Sequence, residues 1–313
     1  MSCCSNAQSS SLSGLLFFGG LTLATVWMGR KRDVNKQQQE SDNTTIESFI
    51  PFVRERVEIV AGKLGIPSKD IYQMLPHLSK ETTETKFEKS NLPLSQFIDH
   101  TILKANAKMS EVEQLCKEAL TNNFAAVCVN ASNVALCKKL LEGSNVKIAS
   151  VVGFPLGATT VESKIFETRQ VIDLGAHEID MVINVGRLLD GDYQYIYDEL
   201  KRMADACIEK GAVLKVILEC CLLNKDLIAD ASIMCMLAKC HYVKTSTGFS
   251  TSGAKLEDCK LMKAVVGNVG LVKAAGGIRD KETALKFIEE AKISRIGTSS
   301  GAAIIGGMKA TGY

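Results

Sequence analysis

From Phe97 onward the chain repeats one pattern: a short run rich in β-branched residues, then a stretch with apolar residues at helical spacing. The runs are Phe97–Ile102, Ala125–Val129, Lys147–Val152, Glu178–Ile183, Leu214–Leu218, Tyr242–Thr245, Leu271–Ala274 and Arg295–Gly297. Between them lie Ser110–Asn122, Ala131–Glu142, Thr160–Leu174, Tyr193–Lys210, Asn224–Ala238, Lys255–Val266 and Lys281–Glu290, several opened by a capping residue. Single strands separated by helices must pair in parallel, through crossover connections. Eight such units predict an α/β fold, a closed (β/α)8 TIM barrel, better than an open doubly wound sheet. No G-x-G-x-x-G follows the first run, which argues against a dinucleotide-binding domain.

A barrel of this kind carries its chemistry where strands end in polar residues. Asp99 falls on the first strand, Asp180 on the fourth, Lys215 on the fifth, Lys244 on the sixth and Lys273 on the seventh. Lysines among β-branched residues are costly unless their charge is used or removed. Lys244 and Lys273, on neighbouring strands, oppose each other's protonation, and desolvation acts the same way, so one amine is available to attack a carbonyl. Snorkelling or an ion-pair network filling the barrel is the alternative; it accounts for one Asp–Lys pair but poorly for two further lysines. Gly276-Gly277 after the seventh strand and Gly297-Thr298-Ser299-Ser300 after the eighth offer backbone N–H groups and hydroxyls to an anion. A short helix expected to begin near Ser299 adds its dipole, and Gly248 contributes from the side. Together these residues predict a phosphorylated small substrate.

Charge and cysteine usage exclude other classes. A formal net charge of +2 gives no electrostatic signature for nucleic acid. The cysteines, several within apolar runs and without C-x-x-C spacing, read as reduced core residues of a reducing compartment rather than as a zinc site or disulfide framework.

The amino-terminal part differs in character. Residues 1–44 hold an uncharged run, Leu12 to Met28, followed by Gly29-Arg30-Lys31-Arg32 and a polar linker. A helix of about 17 residues spans roughly 26 Å, at the short end of the transmembrane range. The basic cluster on its C-terminal side then leaves the bulk of the protein in the cytoplasm, membrane-anchored by residues 12–28. A cleaved targeting segment and an unstructured tail are the alternatives. Residues 45–82 read as a helical extension, one helix starting near Ile50 because Pro51 suits a first turn, and a second over Lys69 to Leu78. Such a hairpin either packs on the barrel base or stands free. Residues 83–313 form the barrel and tail, whose exposed faces leave a homodimer open.

The motifs Phe97-Ile98-Asp99-His100-Thr101-Ile102-Leu103, Glu178-Ile179-Asp180-Met181-Val182-Ile183-Asn184, Val243-Lys244-Thr245-Ser246-Thr247-Gly248-Phe249 and Val272-Lys273-Ala274-Ala275-Gly276-Gly277 closely resemble those of the deoxyribose-phosphate aldolases, class I aldolases. The resemblance runs from about Leu92 to Gly307 and leaves the first 80 or so residues uncovered. It implies reversible cleavage of 2-deoxy-D-ribose 5-phosphate to D-glyceraldehyde 3-phosphate and acetaldehyde, through a lysine Schiff base and without cofactor or metal. It makes Lys244 the Schiff-base lysine, Lys273 the lysine whose charge lowers its pKa, and Asp180 the carboxylate that moves protons through a water. Lys215 and Asp99 match supporting polar residues. The terminal Tyr313 matches a tyrosine that assists proton exchange, although an exposed terminal tyrosine is also often incidental. Phe249 stands where some members carry a further lysine, which leaves more of the phosphate to Gly277 and the strand-eight loop. Cys128 reads as core packing. Two alternatives remain at this stage: a scaffold using an inherited barrel, and a Schiff-base aldolase for another phosphorylated sugar.

Overall fold

Runs of Val, Ile and Ala too short to bury themselves alone close here into one cylinder. The computed structural model describes residues 44–79 and 86–306. Strands β1 (Ile98–Ile102), β2 (Ala126–Val129), β3 (Lys147–Val152), β4 (Glu178–Val182), β5 (Val213–Ile217), β6 (Tyr242–Lys244), β7 (Leu271–Ala275) and β8 (Arg295–Thr298) pair in sequence order, all parallel, and β8 returns to β1. The register sets Asp180 beside Lys215, Lys244 beside Lys273, and Lys273 beside Arg295.

Among the described residues two α-helices precede the barrel. Helix α1 (Ile50–Leu64) starts with Pro51 in its first turn and ends on Gly65 in a left-handed conformation, and α2 (Ser68–Met74) follows. The helices of the barrel are α3 (Met109–Asn122), α4 (Val134–Leu140), α5 (Val161–Leu174), α6 (Val185–Leu189), α7 (Tyr193–Glu209), α8 (Lys225–Leu237), α9 (Leu256–Val266), α10 (Lys281–Ala291) and α11 (Gly301–Gly306). The stretch expected to be helical from Ala131 opens with a 3-10 turn over Ala131–Asn133 before α4 begins. The one-turn α6 was not foreseen; the Asn184 side chain caps it by accepting from the Arg187 N–H at 3.2 Å.

Helix α1 of the extension packs on the outer side of the barrel, against α8, α7 and α9. The reason lies in α8, where every residue from Ile228 to Leu237 is buried. A helix that is apolar on all sides needs a cover on its outer face, and Val53, Val57 and Val60 of α1, all fully buried, join the same core. Arg56 of α1 fastens it: Nε donates to Asp230 Oδ1 at 2.8 Å, while Tyr193 donates to the other oxygen of Asp230. Lys225 Nζ lies 4.1 Å from the Phe52 ring centroid.

Between α5 and α7 lies an isolated buried ion pair. Lys164 Nζ donates to Glu199 Oε1 at 2.6 Å and to the Val182 carbonyl at 2.7 Å, and both side chains are fully buried. Nine described cysteines are free, and all but Cys221 are buried, as core residues are. The candidate anchor, residues 12–28, lies outside the described residues, as does Tyr313; among the described residues no helix is long and apolar enough to cross a membrane.

Candidate active site

Side chains alternate along a strand, so residues two apart on one strand share the barrel interior. Asp99, Glu178, Asp180, Lys215, Lys244, Lys273 and Arg295 converge there. Asp180 is the hub. Its Oδ2 accepts from Lys244 Nζ and from Lys273 Nζ, each at 2.7 Å, and its Oδ1 accepts from Lys215 Nζ at 2.9 Å. Asp99 accepts from Lys273, from Lys215 at 3.3 Å and from Arg295 Nη1 at 2.6 Å. Glu178 closes the lower side, receiving Lys215 and, at 3.2 Å, Arg295.

Three carboxylates therefore face four basic groups in a closed interior. One cation is in excess, and burial disfavours every charge. The excess does not fall evenly. Burial pushes both Lys215 and Lys273 down, but Asp180 and Asp99 outweigh it and hold both above the ordinary lysine value, with Glu178 adding to Lys215. Burial pulls Lys244 below its ordinary value; Asp180 opposes this, and the Lys273 charge adds to it. Burial would raise Asp180, yet Lys215, Lys244 and Lys273 together hold it well below the usual carboxylate range. Lys244 is the ammonium this interior holds most weakly.

Access separates the residues further. A cavity of about 540 Å³ opens at the C-terminal ends of the strands, and Lys244 lines it. Asp99, Asp180, Lys215 and Lys273 lie beneath its floor and do not line it. Of the residues expected to hold phosphate, Gly248, Gly276, Gly277, Gly297 and Ser299 form the wall, with Thr247, Phe249 and Thr298 beside them. Ser300 does not: its N–H donates to Thr298 Oγ1 at 3.0 Å, and its carbonyl caps α11, which starts at Gly301 rather than near Ser299. Gly276 is required by a close approach, since a Cβ there would come within 2.9 Å of the Gly253 Cα. Gly277 follows with φ of 85°, a region that favours glycine. Phe249 stacks edge-on against Phe154 with ring centroids 5.2 Å apart at the rim.

Three further charges shape this region, Glu178 and Glu219 buried and Arg295 half-buried, and none stands among the residues the sequence singles out. Glu178 was legible, since it lies two residues before Asp180 on the same strand and must share its face. Arg295 opens β8 and Glu219 lies past the end of β5, where no local pattern points to either. Cys128 Sγ sits 4.0 Å from Asp180 Oδ2, and burial raises its thiol pKa, as expected of a packing residue rather than a nucleophile.

Residues 94–307 match the family model of the DeoC/LacD family aldolases. A deoxyribose-phosphate aldolase of Streptococcus uberis is 50% identical over 216 residues, 69% of this chain and 97% of its own length. That of Caldicellulosiruptor saccharolyticus is 52% identical over 213 residues, 68% of this chain and 96% of its own. The solved structure of a deoxyribose phosphate aldolase from Aeropyrum pernix, described as a tetramer, superposes with a TM-score of 0.63 at 30% identity, covering 77% of this chain and 97% of that one.

Proposed function

The chain belongs to the DeoC/LacD family of aldolases, and from that premise we propose that it is a lyase cleaving 2-deoxy-D-ribose 5-phosphate reversibly to D-glyceraldehyde 3-phosphate and acetaldehyde. The observation that carries the assignment of roles is that Lys244, among the buried lysines of the interior, is both the weakest-held ammonium and the one that reaches the cavity.

As a free amine, Lys244 attacks C1 of the open-chain sugar, and loss of water leaves a protonated imine. That imine draws electrons as the C3 hydroxyl gives up its proton and the C2–C3 bond breaks. D-Glyceraldehyde 3-phosphate departs, and the two remaining carbons stay on Lys244 as an enamine, which gains a proton and is hydrolysed to acetaldehyde. Asp180 lies under the cavity floor, so it takes and returns protons through a water rather than by touching the sugar. Lys215 and Lys273 keep it ionised; Asp99 orients Lys273 in turn. Gly248, Gly276, Gly277, Gly297 and Ser299 present the wall for the phosphate, with Ser300 one step behind it. Tyr313 remains the candidate for proton exchange at the enamine. The free, buried thiols suit a cytoplasmic, reducing compartment.

The test pairs turnover with trapping. The chain should release both aldehydes from 2-deoxyribose 5-phosphate, and borohydride added during turnover should leave a two-carbon adduct on Lys244. An adduct on Lys273 alone would reverse the two lysines' roles; no cleavage and no adduct would end the reading.

A further inference from the structure

Glu219 lies two residues past the end of β5 and is 3% exposed, yet among the described residues it joins none of the ion pairs of the barrel interior. Its backbone is left-handed, φ 57° and ψ 58°, a conformation uncommon for a residue with a side chain. A buried carboxylate persists only with strong donors around it. One donor is the neighbouring Cys221 thiol, 3.7 Å from Oε1; the others come from the loop after β6. The Thr247 N–H approaches Oε1 and Oε2 at 3.3 and 3.4 Å, and the Thr247 hydroxyl donates to Oε2. Thr247 Oγ1 then accepts from the Phe249 N–H at 3.0 Å. Two backbone bonds run alongside, from Leu218 N–H to the Lys244 carbonyl and from Cys220 N–H to the Thr245 carbonyl, each at 2.9 Å.

The consequence concerns Gly248. It stands between Thr247 and Phe249, has φ of 85°, and lines the cavity. Left alone, a segment with a glycine at its centre samples many backbone states. Here both residues flanking the glycine are tied through one hydroxyl to one carboxylate, and the two Thr247 donors are turned away from any ligand. We propose that Glu219 is a positioning residue for the phosphate end of the substrate, holding Thr247 so that the Gly248 backbone keeps one shape in the cavity wall. This rests on the phosphate-binding reading of that wall given above.

The predicted signature is a split between binding and turnover. Glu219→Gln keeps the shape and removes the charge that strengthens the Thr247 bonds; KM for 2-deoxyribose 5-phosphate and Ki for inorganic phosphate should rise together by about tenfold, with kcat nearly unmoved. Thr247→Val, which deletes the hydroxyl, should raise both constants similarly, and the double variant should cost little more than either single one. A fall in kcat with KM and Ki unmoved, or full additivity of the two substitutions, overturns the proposal. If Glu219→Gln fails to fold, Thr247→Val decides alone: a raised Ki supports the proposal and an unchanged one overturns it. Direct titration of inorganic phosphate keeps the two readings apart. A wild-type chain that binds phosphate but cleaves nothing defeats the proposed reaction, while the phosphate Kd of the variants still decides the role of Glu219.

Discussion

Lys164 and Lys244 are both buried lysines paired with a carboxylate, and they differ in what surrounds the pair. Lys164 meets Glu199 one to one, with the Val182 carbonyl as a second acceptor, between two helices and away from the cavity. Lys244 shares one oxygen of Asp180 with a second ammonium and faces open space. Burial lowers the pKa of both, against the pull of Glu199 in one case and Asp180 in the other. A depressed pKa therefore does not identify a nucleophile in this molecule. A competing cation and a path to the ligand do.

The largest loss is expected at Lys244. Replacing it by arginine keeps the charge but leaves no amine that can lose its proton, so kcat should fall by about 10⁴-fold or more. Phosphate binding should survive in a titration of the variant. The same charge-preserving change at Lys164 is no test of chemistry, so there the informative variant is Lys164→Met. It strands the Glu199 carboxylate without its cation, a loss of about 3–5 kcal/mol read by urea unfolding, while the folded variant keeps its turnover. Burial already holds the Glu199 carboxyl above its ordinary value against the pull of Lys164, so the variant raises it further. Adding Glu199→Leu should recover most of the stability. A turnover loss in the folded Lys164→Met variant would show that the two lysines are not separable.

The smallest effect is expected at Lys273. Lys273→Leu removes the like charge beside Lys244 and leaves Asp180 more fully to it. Both changes raise the Lys244 pKa. The rising limb of the pH–rate profile, where the free amine appears, should move up by about one pH unit. A limb that stays in place would mean that burial alone sets the Lys244 pKa.

The sequence showed some parts of this arrangement and hid others for physical reasons. Strand-to-helix alternation is local, so the eight strands and their order could be read directly; only ends shifted, by a residue at most. Lys244, Lys273 and Asp180 stood out because a charge among β-branched residues is locally anomalous. Arg295 sits at a strand start, where a charge looks like the beginning of a loop, and only closure of the barrel reveals that it points inward; Glu178 opens its strand too, but its spacing from Asp180 places it on the same face. The Arg56–Asp230 contact joins residues 174 positions apart, and each sits in an ordinary helix, so neither gives a local sign. The side-on seat of the extension could have been inferred from α8, whose apolar residues leave no solvent face. The mean pattern of the extension alone shows only that it is amphipathic.

That covered helix also bears on how the chain meets copies of itself. An apolar outer face on α8 would, in a barrel without the extension, be open to a second molecule. Here α1 is tethered to the surface it covers and is held by Val53, Val57, Val60 and Arg56. A cover carried on the same chain acts at an effective concentration on the order of millimolar. A second copy at lower concentration loses that competition, so the outer face of α8 is closed to it for as long as α1 stays seated.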